Sequence, residues 1–209
     1  DEVITLKDPV KEGYQFEGWY SDIAYSARVT EIYGANKSDI MLYAKWKSLT
    51  QGESPMIDLT PAEGNVLMGI SGTYYTETAD KILNRLNAIR KEACREGVRN
   101  PVSGEPLTMD DYVPLQWSSD MEAIARLRAA EATVNQDHIR PNGQTCNTVV
   151  TQNGERLWAE NLAWNYDGLM KGIEQWYEEK KDWVNQTGRV TGHYTSMISP
   201  YYTSVGVSA

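Results

Sequence analysis

The stretch Leu169-Met170-Lys171-Gly172-Ile173-Glu174-Gln175-Trp176-Tyr177-Glu178-Glu179-Lys180-Lys181-Asp182-Trp183 reads as one amphipathic helix. Leu169, Ile173, Trp176, Lys180 and Trp183 fall on a single stripe, and Asp167 stands where an N-cap is needed. Glu179 lies three residues after Trp176 and four before Trp183, so it shares their face, whereas Glu178 points away. The spacing selects Glu179 as the carboxylate turned inward.

This helix sits inside a longer stretch bounded by His138 and His193, the two histidines of the chain. Between them also lies the step Glu160-Asn161. Two imidazoles and two carboxylates beside aromatic or turn-forming residues are what a polar cleft built from several separate elements leaves in a sequence. Downstream, His193 to Ile198 and Ser204 to Val207 read as strands. On such a strand Ser196, three positions from His193, faces the opposite way, and Thr195 on the same face is a poor nucleophile. A Ser-His hydrolase is therefore not expected. Cys146 follows His138 by eight residues, a spacing without specific meaning for a thiol hydrolase.

Upstream, Ser119 with Glu122 forms a capping-box pattern ahead of Met121, Ile124, Leu127 and the alanines at 125, 129, 130 and 132. That helix should end near Gln136 and deliver Asp137-His138 to its exit, with Pro141-Asn142-Gly143 turning the chain. An earlier helix follows Thr76 or Thr78, with Ile82, Leu86, Ile89 and Ala93 at helical spacing and Gly97 as its stop. Arg85, Arg90 and Lys91 are expected to face solvent. Helices interspersed with strands predict an α+β layered domain over residues 61–209.

Residues 48–60 are rich in Ser, Thr, Gln, Gly, Glu and Pro, and this is where a linker is expected. Residues 1–47 read as strands and turns: Ile40, Leu42, Ala44 and Trp46 alternate with Met41, Tyr43 and Lys45, after a loop at Gly34-Ala35-Asn36. Glu12-Gly13-Tyr14-Gln15-Phe16-Glu17-Gly18-Trp19-Tyr20, closed by Leu42-Tyr43-Ala44-Lys45-Trp46, resembles a partial internalin-type B repeat. That resemblance implies a small β-grasp-like spacer or adhesive unit of bacterial surface proteins.

Composition narrows the function classes. The chain has 209 residues, 41% of them hydrophobic, with Trp 7 and Tyr 13 against Phe 1. Rings that keep a polar edge fit a surface or cleft better than a sealed core. Net charge is −9, from 8 acids against 6 bases in residues 1–50 and 21 against 14 thereafter, so nucleic acid and anionic membrane surfaces are unfavoured partners. No run approaches the roughly 20 apolar residues of a transmembrane helix. Cys94 and Cys146 form no metal motif by spacing; they read either as two unrelated buried thiols or as one disulfide of an oxidising compartment. The chain opens on Asp1, as a piece of a longer or processed protein would.

From about residue 71 onward the chain resembles the CAP superfamily, the cysteine-rich secretory proteins, antigen 5 and pathogenesis-related proteins. The matching pieces are Leu86-Asn87-Ala88-Ile89-Arg90, Pro114-Leu115-Gln116-Trp117, Asp137-His138-Ile139-Arg140-Pro141 and Ala159-Glu160-Asn161-Leu162-Ala163. They continue with Trp176-Tyr177-Glu178-Glu179, Gly192-His193-Tyr194-Thr195-Ser196-Met197 and Val205-Gly206-Val207. The resemblance implies an α-β-α sandwich with a cleft where His138, Glu160, Glu179 and His193 converge. It further implies that the two histidines can hold a divalent metal, commonly zinc, with the glutamates close by. Imidazole suits such ions; a site of two protein ligands is open, of modest affinity, and lost as the rings protonate. Ala159 stands where many members carry Gly, the few cysteines give a bacterial-type pattern, and Ala209 falls short of a further expected strand.

Two functions are expected from this. The favoured one is a secreted or wall-associated module that binds a glycan, lipid, peptide or host-surface component in the cleft. The other is a metal-assisted hydrolase in which the ion would activate water and Glu160 or Glu179 would serve as base.

Overall fold

The computed structural model describes residues 3–9, 14–33, 40–48, 57, 59–61, 63–75 and 77–209. The chain forms two compact units, one of residues 1–52 with 78–80 and one of residues 53–77 with 81–209. The loop expected at Gly34-Ala35-Asn36 and the Thr76 cap lie outside the described residues, as does most of the segment 48–60.

In the first unit, β1 (Val3–Thr5) pairs antiparallel with β4 (Glu31–Tyr33), with Ile4 opposite Ile32. The long strand β2 (Tyr14–Tyr20) is the centre of an antiparallel sheet, flanked by β3 (Arg28–Val29) and β5 (Tyr43–Ser48). The last strand thus begins at Tyr43 and not at Ile40. Phe16 faces Trp46 across the pair, and its ring meets Trp46 and Trp19 edge-on at 5.3 and 5.4 Å. Such aromatic contacts supply much of what a small sheet can bury. The register slips between Phe16 and Gly18, where φ is +140° and a Cβ would lie 2.9 Å from Arg28 Nε, so the bulge needs glycine.

The second unit mixes helix and strand. Its first helix, α1 (Ala79–Arg95), buries Ile82, Leu86, Ile89 and Ala93, and Gly97 at φ +64° closes it while Val98 N–H reaches back to the Ala93 carbonyl. Two of its bases do not face solvent. Arg90 is only 3% exposed and donates to the carbonyls of Ser199 and Tyr202, while Arg85 forks onto Glu174 at 2.6 and 2.7 Å. Arg90 stands four residues after Leu86, beside the apolar stripe, so its stem is buried and its head is satisfied by backbone oxygen. Burial lowers its pKa from the ordinary arginine value.

Beyond α1, the Asn87 side chain bonds Leu115 N–H and carbonyl, setting β6 (Gln116–Trp117) beside β7 (Ser204–Val205) as a parallel pair. Helix α2 (Ser119–Val134) is capped by Ser118, whose hydroxyl accepts from Met121 N–H, one residue earlier than the expected box. That shift leaves Glu122 at the wrong offset for a box; it accepts from Trp117 Nε1 and Arg126 instead.

The expected helix from Leu169 to Trp183 is two helices, α3 (Leu169–Tyr177) and α4 (Lys180–Val184). At the junction Glu179 N–H bonds the Trp176 carbonyl three residues back, a tighter turn that interrupts the regular ladder. Gly168, with φ +92°, and not Asp167, holds the N-cap position of α3. The run His193 to Ile198 is a helix as well, α5 (Gly192–Ile198), and not a strand. Tyr194, Met197 and Ile198 are its buried residues, a spacing of three and four that belongs to a helix. These residues pack with Ile82, Leu86, Ile89 and Ile173 into the main core; Ile124, Val149 and Leu157 form a second cluster. Cys94, in the core, and the half-buried Cys146 are both free thiols, so the disulfide alternative is not formed. No helix among the described residues is long and apolar enough to cross a membrane.

Candidate functional site

Two walls of one cavity carry the predicted residues. The first wall begins where α2 ends. A tight turn through Pro141-Asn142-Gly143 follows, with Gly143 at φ +81°, Gly143 N–H on the Arg140 carbonyl and Ile139 bridged to Thr145. Cys146 N–H donates to the His138 carbonyl at 2.9 Å. The eight-residue spacing of His138 and Cys146 is thus the length of a turn that sets them opposite one another.

Glu160 lies beneath both. Its side chain is 8% exposed and is gripped by Arg128, 3% exposed, through Nε at 2.6 Å and Nη2 at 3.2 Å. Arg128 also holds Glu131 and the Asp137 carbonyl, and Arg140 binds the far side of Glu131. Burial works against the guanidinium's charge, but Glu160 and Glu131 outweigh it and raise its pKa. His138 Nδ1 donates to Glu160 Oε2 at 2.9 Å. The Cys146 thiol lies within 4.8 Å of the same carboxylate; burial first, then the Glu160 charge, pushes its thiol pKa up.

The second wall is α5 with the α3–α4 junction. His193 Nδ1 donates to Glu179 Oε1 at 2.7 Å, and Tyr194 N–H donates to Glu179 Oε2 at 3.1 Å. Trp176 stacks on the His193 ring, centroids 6.4 Å apart and planes 20° from parallel. Glu178 is exposed. Asn161 Nδ2 donates to the His193 carbonyl, so the Glu160-Asn161 step serves both walls. Ser196, placed by the helix on the same face as His193, lines the cavity, contrary to the strand expectation. Its hydroxyl lies 2.7 Å from Asn161 Oδ1 and 2.9 Å from the His193 carbonyl, and its proton goes to one of these oxygens and not to an imidazole. No serine nucleophile results.

The cavity measures about 490 Å³ and is lined by His138, Cys146, Glu160, His193 and Ser196, with Trp158, 89% exposed, at its rim. An ionised carboxylate can only accept, so in each neutral ring Nδ1 carries the proton and Nε2 keeps its lone pair. Carboxylate–histidine pairs of this kind orient imidazoles that bind transition ions. The donor set therefore fits such a metal. Both oxygens of Glu160 and both of Glu179 are already engaged, which suits carboxylates that orient better than bases that take up a substrate proton.

Of the four predicted residues, His138, Glu160 and His193 line the cavity and Glu179 stands behind His193; sequence reading passed over Arg128 and weighed Cys146 and Ser196 only as nucleophiles. Arg128 had a signal: it lies four residues after Ile124 and four before Ala132, both buried, on the inward stripe of α2.

Residues 1–45 match the Listeria-Bacteroides repeat domain. Venom allergen 5 of Microctonus hyperodae is 28% identical over 140 residues, covering 61% of this chain and 57% of that protein. A "Probable pathogenesis-related protein" of Candida albicans is 26% identical over 140 residues, covering 66% and 54% respectively. The chain thus spans little more than half the length of these curated relatives. No solved structure matches the chain. The profile of the cysteine-rich secretory protein family matches residues 83–209, and with the match extending over well more than half of the sequence, the chain belongs to that family.

Proposed function

We propose that this is a secreted or cell-surface bacterial module that binds a glycan, lipid or peptide ligand in the His138–His193 cavity, with a divalent ion held through the imidazoles. One observation carries the reading: each ring spends Nδ1 on a carboxylate while both rings line the same cavity. Zinc is the natural candidate for neutral imidazoles. Family members are commonly secreted, and the printed names of the two relatives, an allergen of venom and a pathogenesis-related protein, accord with an extracellular role in contact with a host. Residues 61–209 would form the family's α-β-α sandwich. Residues 1–47 would be a β-grasp-like spacer presenting it beyond the linker at 48–60, toward a cell wall or host surface.

The alternative, a metal-assisted hydrolase with Glu160 or Glu179 as base, has less support because the oxygens of both are already occupied. Calorimetric zinc titration of the protein and of a His138→Ala, His193→Ala double variant tests the reading, alongside a peptide and ester hydrolysis screen. Zinc uptake by the parent, lost in the double variant, with no turnover by either, is the expected outcome. Metal-dependent turnover that vanishes in the variant would overturn binding in favour of catalysis, and no uptake by the parent would remove the metal.

A further inference from the structure

We infer that the His138 wall of the cavity is a site for a thiophilic divalent cation of the zinc or cadmium class, held by Cys146, His138 and Glu160. The inference rests on the reading above that this cavity takes a divalent ion, and it puts Cys146 and Glu160 in place of His193 among the ion's ligands. Among the described residues, these three form the set of His, Cys, Asp and Glu side chains whose ligand atoms all lie within 4.8 Å of one another, and His193 is outside it.

Three features build the site. The turn through Pro141-Asn142-Gly143 fixes Cys146 against His138 by the backbone bond between them. The buried Arg128 fork holds Glu160 in place, so the carboxylate needs no ordering when an ion arrives. The Cys146 thiol lines the cavity, whereas Cys94 is sealed in the core. A thiolate, an imidazole and a carboxylate suit zinc-like ions; magnesium and calcium want six or more oxygens, which this wall does not offer. On binding, the thiol proton leaves to solvent, His138 gives up its Nδ1–H hydrogen bond to Glu160 so that the neutral ring and the carboxylate can both reach the ion, and no oxidation state changes. Three protein ligands leave a tetrahedral ion one position for a donor atom of a molecule in the cavity. Cys146 is thus the residue that gives the site its preference for soft ions.

Cobalt(II) titration of the full chain, read by absorbance, tests this because thiolate coordination adds a charge-transfer band that imidazole and carboxylate do not. The band is expected in the parent and in His193→Ala. It should be absent from Cys146→Ser, with affinity down by at least about tenfold, the scale on which even outer partners of a metal site act. Cobalt bound without the band, retained by Cys146→Ser and lost from His193→Ala, would overturn the proposal while leaving a metal in the cavity. No cobalt or zinc bound by the parent would remove both. Should Cys146→Ser fail to fold, iodoacetamide labelling of the unmodified chain decides: zinc should slow alkylation of Cys146 and leave Cys94 unaffected, and an unprotected Cys146 would overturn the assignment.

Discussion

Arg128→Ala is expected to destabilise the protein by about 3–5 kcal/mol, the usual cost of leaving a buried charge without its partner. Arg128 and Glu160 are 3% and 8% exposed, so water cannot replace the lost fork. Glu131 keeps Arg140, but Glu160 would retain only its hydrogen bond from the His138 ring. The Asp137 carbonyl, next to His138, would lose its donor at the same time. Zinc affinity should fall together with stability, because the carboxylate that orients His138 would be free to turn. Urea unfolding at neutral pH measures the first effect and calorimetry the second. Arg128→Lys keeps a charge without the planar fork and should fall between the parent and the alanine variant. A stability loss below about 1 kcal/mol for Arg128→Ala, the range of an exposed pair, would mean that the network is not buried as described.

Gly206→Ala is the second large effect. A Cβ there would stand 2.0 Å from Glu122 N and 2.2 Å from Met121 C, both backbone atoms of α2. Flexible side chains could move aside; this helix start cannot, because Ser118 N–H is bonded to the Val205 carbonyl and the Ser118 hydroxyl to Met121 N–H. The methyl group must therefore push α2 off the β6–β7 pair. Overpacking against backbone puts the loss at about 3 kcal/mol, the upper end of the usual range. Gly72→Ala is the control, since nothing lies within 4 Å of its added Cβ and its φ is not in the left-handed region. Gly72→Ala should be nearly neutral in thermal unfolding and Gly206→Ala should melt well below it. Equal melting temperatures would refute the close approach.

Much of the site was legible because its chemistry uses rare residues in ordered motifs: two histidines in the whole chain, and Glu179 on the aromatic face. The α1 stripe was legible for the same reason that helices usually are, its apolar spacing. What the sequence concealed was long-range. Arg90 looks like a surface base, and Arg128 like a charge on an inward stripe with nothing to meet it, until the carbonyls and carboxylates that receive them arrive from distant segments. Segment 193–198 is short and mixes polar with apolar residues, so a period of two could be imposed on it, and only packing of Tyr194, Met197 and Ile198 on the core selects the helix. Cys146 gained its meaning from a turn, since seven residues of chain separate it from His138 but one backbone hydrogen bond joins them.

Two carboxylates aim two imidazoles into one cavity by accepting hydrogen bonds from their Nδ1–H groups. Because the chain has 2 histidines, imidazole nitrogen NMR of histidine-labelled protein gives one set of signals for each wall. The account predicts that both neutral rings carry the proton on Nδ1 and that one equivalent of zinc shifts the His138 signals. Both rings protonated on Nε2, or signals unmoved by zinc, would contradict it.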